Sequence, residues 1–273
     1  MSFQERTKIR LTKYKSDNFP ELENGQWKKN KKYYSHILPE NNKFDNLLPI
    51  YRTEFRDYIE NHAIKLHSDF HHLNSSQAMC FNFFFPLYHE RKLEVLTDFL
   101  ELKNEIVNYD SVRFEKNGLE SKFGRRPTSF DFYFETTTCK KLHFEIKYTE
   151  GGFGIANINL DKFDNVYSKF LKPINSTFHS SQQFFANYQI LRNLVHIDDN
   201  SYVAFVYPKD NKDVCKGAAK VKSDFLIPSF HSHYFSATWE NLFDIVSNSI
   251  VDNKLKTHFV DFKDKYLPEV VVL

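Results

Sequence analysis

The sequence predicts an α/β protein with a mixed central sheet flanked by helices. The chain has 273 residues, of which 41% are hydrophobic and 17% aromatic, and this is enough to form a substantial core. Apolar residues recur at helical spacing before residue 106, and from Val107 the pattern changes to the two-residue period of β-strands. Helical and strand patterns then follow one another toward the C-terminal region, an order typical of α/β folds.

The predicted elements follow in chain order. Helices are expected at 46–67, from Asn74 to about Pro86, at 92–106, at 160–171, at 180–195 and from Thr238. Strands are expected at 107–115, 129–136, 141–149, 201–207 and near 234–235. The segment 201–207 is almost continuously apolar, which is typical of a strand covered on both faces. The core of the chain therefore has the order αβββαβ.

The overall composition excludes several classes of protein. With 37 Lys and Arg against 35 Asp and Glu, the net charge is +2, which excludes a uniform polycation and a strongly acidic disordered chain. No segment approaches the roughly 18–20 apolar residues of a membrane span, and the N-terminus lacks the apolar core of a signal peptide. The three cysteines are too widely spaced for a disulfide framework or a four-ligand zinc site. We therefore expect a soluble, cytoplasmic protein with no membrane partner.

The N-terminal region, residues 1–40, is predicted to be a basic aromatic arm attached to one domain that spans 41–273. Residues 1–35 contain nine basic and four acidic side chains, a local net charge of +5. Aromatic residues alternate with cations here, and we predict nucleic-acid contacts by Lys28, Lys29, Lys31 and Lys32. A solvated arm that lies along the domain explains the same composition equally well.

Two neighbouring predicted strands carry a group of charged residues. The two-residue period places Phe130, Phe132 and Phe134 on one face of the first strand and Asp131, Tyr133 and Glu135 on the other. The same period groups Glu145 and Lys147 on one face of the next strand. If the strands pair as a hairpin, Asp131, Glu145 and Lys147 share one surface. The alternative interpretation is an ordinary solvent-facing hairpin with surface ion pairs.

These three residue types suit metal-dependent phosphodiester hydrolysis. Two adjacent carboxylates repel each other unless a cation lies between them. Mg²⁺ prefers oxygen ligands and usually keeps several waters. A nearby lysine can position or deprotonate the attacking water, or stabilise charge in the transition state.

Asp131, followed fourteen residues later by Glu145-Ile146-Lys147, resembles the PD-(D/E)xK nuclease signature. The resemblance implies a restriction-endonuclease-like core over about residues 74–250. It also implies that Asp131, Glu145 and the backbone carbonyl of Ile146 bind metal, and that Lys147 is the catalytic lysine. One departure is that Pro127 lies four residues before Asp131 instead of directly before it.

Further residues are candidates for accessory roles. Members of the superfamily often add an acidic or Gln side chain to the metal site, and the candidates here are Gln77, Glu90, Glu135 and Gln189. Spacing does not select among them, and each also fits an ordinary helix or strand position. Arg125 and Arg126 lie in a basic segment before the Asp131 strand and are predicted to contact nucleic acid.

The sequence thus predicts a Mg²⁺-dependent endodeoxyribonuclease, with Mn²⁺ as a substitute and duplex DNA as the favoured partner. A role in restriction or defence follows from the resemblance alone. A homodimer is expected if the protein cuts both strands at a symmetric site. The alternative is a nucleic-acid-binding module on the same fold that does not cleave, and a third hypothesis is a scaffold that binds no nucleic acid.

Overall fold

A computed structural model of the protein describes residues 1–123 and 128–267. It has a five-stranded mixed sheet flanked by helices, which confirms the predicted fold class. The chain divides into two compact units: unit 1 comprises Met1–Leu96 and Trp239–Leu273, and unit 2 comprises Thr97–Thr238. The proposed division of the chain after residue 40 stays a prediction.

The regular elements are numbered in chain order. The described α-helices are α1 (Phe3–Asn18), α2 (Arg52–Asn61), α3 (Ser76–His89), α4 (Glu94–Phe99), α5 (Leu160–Lys162), α6 (Ser181–Ala186), α7 (Tyr188–Leu194), α8 (Lys212–Lys220), α9 (Trp239–Ser249) and α10 (Asn253–Tyr266). The strands are β1 (Gly25–Gln26), β2 (Tyr33–Tyr34), β3 (Val107–Asn117), β4 (Ser129–Thr136), β5 (Lys141–Ile146), β6 (Ser201–Tyr207) and β7 (Tyr234–Thr238). Short segments of 3₁₀- or π-helix connect several of them. No described helix has both the length and the apolar character needed to cross a bilayer.

The central sheet lies in unit 2 and has the strand order β3-β4-β5-β6-β7. The first three strands form an antiparallel meander, and β6 and β7 then run parallel to β5. The segment between β5 and β6 contains α5, α6 and α7, as a crossover between parallel strands requires. This order reproduces the predicted αβββαβ core.

Several helix boundaries differ from the predicted ones for local backbone reasons. The helix expected at 46–67 is confined to α2, because Pro49 opens a separate 3₁₀ turn before it. The helix expected at 92–106 is only α4, since Glu101 and Asn104 adopt positive φ angles that a right-handed helix excludes. The helix expected at 180–195 is divided into α6 and α7 at Asn187, whose backbone angles (φ −125°, ψ 32°) are not helical.

Both units have aromatic cores. In unit 1, the ring of Phe83 lies 5.1 Å from that of Trp239 and 5.2 Å from that of Phe262. In unit 2, one face of the sheet packs against α6, α7 and α8 through a large apolar cluster that includes Phe205 and Leu191. The other face carries phenylalanine rings from three adjacent strands. The face that packs against α7 is the one on which Glu145 of β5 lies.

Candidate active site

The candidate site lies where β4 and β5 separate. Their ladder is paired as far as Phe132 and Phe144, and one further step in this register would place Asp131 opposite Glu145. Instead, Asp131 Oδ2 accepts a hydrogen bond of 2.7 Å from the backbone N–H of Ile146. The Lys147 N–H donates to the Val206 carbonyl of β6 at 2.8 Å, and the Ile146 carbonyl of the same trans peptide group therefore faces the opposite side, toward β4. The Asp131 carboxylate therefore lies between the strands, beside the residue that joins Glu145 to Lys147.

The prediction that Phe130 shares a strand face with Phe132 and Phe134 is wrong. The ring of Phe130 lies 4.7 Å from that of His143 and belongs to the cluster with Leu191 and Phe205, whereas Phe132 contacts rings on the opposite face. The side chain of Asp131 points along the sheet to the neighbouring strand, and regular alternation is lost at this residue. The prediction failed because it assumed that side chains alternate regularly as far as the end of the strand.

Glu145 and Lys147 form a buried ion pair. Lys147 Nζ lies 2.9 Å from Glu145 Oε1, and the two side chains are only 5% and 4% exposed. The alternative of a solvent-facing hairpin is therefore contradicted at these two positions. Because burying a charged group is costly, both members of the pair need hydrogen-bond partners or opposite charges in their surroundings.

Helix α7 supplies those groups. Gln189 Nε2 donates to Glu145 Oε1 at 2.8 Å, and Asn193 Nδ2 donates to Oε2 at 3.0 Å. Arg192 Nη2 lies 3.9 Å from Oε2. Positions 189, 192 and 193 are related by i, i+3 and i+4 spacing and therefore share one helix face. Both carboxylate oxygens of Glu145 are thus contacted by the helix.

The loop after β5 is connected to the same helix. Gln189 Oε1 accepts a 2.7 Å hydrogen bond from the backbone N–H of Gly154, and the Gln189 N–H donates to the Gly154 carbonyl at 2.9 Å. Lys147 Nζ lies 5.4 Å from the centre of the Phe153 ring. Gln189 therefore links the loop, α7 and Glu145. Its predicted accessory role at a metal site stays a prediction. Arg192 and Asn193 were not predicted, although their spacing from Gln189 was visible.

The two carboxylates have opposite electrostatic character. Burial, followed by the nearby charges of Glu145 and Glu115, raises the pKa of Asp131 well above its usual value. Burial alone would raise the pKa of Glu145, but Lys147 and Arg192 outweigh this effect and lower it. Burial would lower the pKa of Lys147, and Glu145 outweighs this effect and raises it. The surroundings therefore favour the neutral form of one carboxylate, Asp131, and the ionised form of the other, Glu145.

The donor set at this position fits a hard divalent cation. It consists of two carboxylates and a backbone carbonyl, all of them oxygen, and Mg²⁺ usually completes such a set with water. Burial and, after it, repulsion by Glu145 and Glu115 raise the pKa of Asp131, and a cation would relieve the repulsive part. In residues 1–123 and 128–267 there is no group of three or more His, Cys, Asp or Glu side chains arranged to hold a metal. A transition-metal site of that kind is thus not found in the described parts.

The remaining predicted accessory residues have other surroundings. Glu135 lies four residues along β4 from Asp131, or about 13 Å at the usual rise of a strand, and accepts a hydrogen bond from Tyr133. In unit 1, Gln77 Oε1 accepts from the His67 N–H at 2.8 Å, and Glu90 Oε1 accepts from the Tyr51 hydroxyl at 3.0 Å. These three side chains therefore have structural contacts of their own.

The predicted nucleic-acid contacts divide into two groups. Arg125 and Arg126, with Pro127, lie outside the described residues. Lys28, Lys29, Lys31 and Lys32 are exposed at the turn between β1 and β2 in unit 1. The residues before them form a regular helix, α1, with Ser2 and Glu5 in a reciprocal capping box.

Comparison with known proteins places the chain in a family. A model of the family described as "Restriction Endonuclease associating with ARP" matches residues 8–267. Since this match covers nearly the whole chain, the protein belongs to that restriction-endonuclease family. Searches of curated proteins and of solved structures found no match.

Proposed function

We propose that this family member is a metal-dependent nuclease of the PD-(D/E)xK type that hydrolyses phosphodiester bonds in DNA. The observation that carries the proposal is the convergence of Asp131, Glu145 and Lys147 at one break in the sheet. The restriction-endonuclease family supports the choice of DNA as substrate and a role in restriction or defence. We expect duplex DNA to be the favoured substrate and Mn²⁺ to replace Mg²⁺.

Each residue has a role that its surroundings support. Asp131, Glu145 and the Ile146 carbonyl would hold the cation, which when bound supplies positive charge that makes a water more acidic and neutralises the phosphate. Lys147 places N–H donors beside Glu145 Oε1, where they can orient the attacking water or stabilise negative charge on a phosphate oxygen. Gln189 and Asn193 hold the Glu145 carboxylate in one orientation before substrate binds.

The test is cleavage of plasmid and linear duplex DNA in the presence of Mg²⁺, Mn²⁺ or EDTA. Asp131→Asn retains an acceptor for the Ile146 N–H but removes the charge, so this variant should fold and lose cleavage. Lys147→Ala should also lose cleavage. Asp199→Asn is the matched control, because it removes an exposed carboxylate of the same unit and should cleave normally. Full activity in both site variants would exclude this assignment.

A second candidate is a nucleic-acid-binding module that does not cleave. It is favoured by one observation: Gln189, Asn193 and Lys147 already occupy hydrogen-bonding positions on Glu145, as they would in a purely structural ion-pair network. A carboxylate has about four lone-pair positions, so these donors still leave room for a cation. Tight DNA binding, with no cleavage of any substrate in Mg²⁺ or Mn²⁺, would favour this candidate over the nuclease.

A further inference from the structure

The lysine-rich segment of unit 1 is an ordered hairpin. From Gly25 to Tyr34 it contains four lysines and no acidic residue. The Trp27 N–H donates to the Lys32 carbonyl at 2.8 Å, and the Lys31 N–H donates to the Trp27 carbonyl at 2.9 Å. The Gln26 side chain also donates to the Lys31 carbonyl at 2.9 Å. These bonds fix the turn, so its cations project from a defined backbone and little ordering is needed when a ligand binds.

The three aromatic residues of the hairpin have different surroundings. Trp27 Nε1 donates to Asp69 at 3.3 Å, and its ring packs edge-on against Tyr34 and His72. Tyr34 is half-buried, and its hydroxyl accepts a hydrogen bond from Asn30. Tyr33 is 67% exposed. Tyr33 is therefore the ring of this hairpin that is presented to solvent, directly after Lys31 and Lys32.

We propose that the hairpin 25–34 binds single-stranded nucleic acid, with its lysines at the phosphates and the ring of Tyr33 stacked on an unpaired base. A flat base face is covered by its neighbours in a duplex and becomes available where nucleotides are unpaired. The inference rests on the proposed function and deepens it, since it adds unpaired nucleotides to the features of the substrate.

The charges around the hairpin are compatible with this ligand. Lys28 pairs with Glu40 at 3.0 Å, and both side chains are about half exposed. An exposed pair of this kind contributes little free energy, so a phosphate can replace Glu40 at small cost. Lys29 Nζ lies 5.9 Å from the Trp27 ring centre and remains at the surface. Residues 25–34 themselves have a net charge of +4 and contain no carboxylate, and this positive charge attracts a polyanion.

The test measures binding of the full chain in EDTA, so that it does not depend on cleavage. The probes are a labelled 20-nucleotide single strand as DNA, the same sequence as RNA, and a blunt 20-base-pair DNA duplex. Tyr33→Ala should weaken single-strand binding by about 5- to 150-fold, and Tyr33→Phe should restore it. Duplex binding should change little in Tyr33→Ala. Comparison of the two single-stranded probes shows whether DNA or RNA is preferred.

A charge variant provides the second measurement. Lys31→Ala/Lys32→Ala should reduce the slope of log affinity against log salt by about 1.4 for the single strand. Lys216→Ala/Lys220→Ala, on the exposed surface of α8, is the matched control and should leave the slope unchanged. Thermal melts check that all variants are folded, which is expected because the substituted side chains are exposed.

The outcomes separate this inference from the proposed nuclease activity. An unchanged single-strand affinity in Tyr33→Ala overturns the hairpin proposal, and so does an equal loss for single strand and duplex. The variants are also tested for binding to phosphatidylserine vesicles. If they lose binding to the vesicles but keep their affinity for single-stranded nucleic acid, the hairpin is a membrane-binding surface and the hairpin proposal is overturned. If wild-type protein never cleaves in Mg²⁺ but binding depends on Tyr33, the nuclease proposal fails while the hairpin proposal stands.

Discussion

The buried pair Glu145–Lys147 permits a quantitative prediction. At 2.9 Å and an effective dielectric constant of about 20, the attraction is roughly 6 kcal/mol before the desolvation of both groups is subtracted. Lys147→Met leaves Glu145 with Gln189, Asn193 and Arg192 as neighbours, so the free energy of unfolding should fall by about 3 kcal/mol. Glu145→Gln removes the ion-pair partner of the buried Lys147 ammonium and should cost about 4 kcal/mol.

The double variant Glu145→Gln/Lys147→Met should cost clearly less than the sum of the single variants. Neither charge is then buried alone, so we expect a coupling of at least about 2 kcal/mol. Urea unfolding followed by far-UV circular dichroism is the appropriate assay. Tryptophan fluorescence is unsuitable, because Trp27 and Trp239 are both in unit 1 and the pair is in unit 2.

The control is the exposed pair Lys172–Asp199 of the same unit. Its atoms are 3.4 Å apart, and the side chains are 70% and 81% exposed. The same cycle with Lys172→Met and Asp199→Asn should give a coupling below about 1 kcal/mol. Additive single-variant effects at Glu145 and Lys147 would refute the reasoning, since they would show that the two charges do not depend on each other.

Three further predictions concern other groups. Mg²⁺ at ten times its Kd should stabilise the protein by about 1.4 kcal/mol in calorimetry, and Asp131→Asn should remove this effect; equal stabilisation of both proteins would place the cation elsewhere. Asn193→Ala removes a donor to a buried carboxylate and should cost about 2 kcal/mol in urea unfolding, whereas Asn193→Asp should cost more because it sets a second carboxylate 3.0 Å from Glu145. Burial lowers the pKa of His258 from 6.5 to about 4, so between these pH values the unfolded chain takes up a proton that the folded chain does not. The free energy of unfolding should therefore fall by up to about 1.4 kcal/mol per pH unit on acidification through this window, and tryptophan fluorescence should show a flatter dependence in His258→Gln.

The fold was predictable where one strong local pattern was sufficient. The strands at 129–136 and 201–207 have the bounds that the sequence predicted, because their aromatic and β-branched residues are unbroken by glycine or proline. The start of α3 was also predicted, since Ser75 accepts a hydrogen bond from the Ala78 N–H as an N-cap. Helices α1, α8 and α10 were not predicted; α1, for example, buries few residues and shows little apolar periodicity.

The candidate site was predictable only in part, because its partners are distant in sequence. The strand pattern grouped Glu145 with Lys147, which form an ion pair, but it did not predict that the Asp131 side chain points along the sheet to the Ile146 N–H, and it gave no information on burial. The covering groups come from Gln189 and Asn193, which are 44 and 48 residues beyond Glu145. No local pattern determines which helix will cover a given strand face.

A more informative signal is a match between a polar strand face and a polar helix face. Helix α7 places Gln189, Arg192 and Asn193 on one side, while Ile190, Leu191 and Leu194 are buried. This face therefore carries two amides and a guanidinium. Such groups pack poorly against apolar neighbours, but they can donate hydrogen bonds to a buried carboxylate. A crossover helix with this stripe, following a strand that carries a Glu and a Lys, therefore predicts a buried charged site, and the sequence contained both halves of that match.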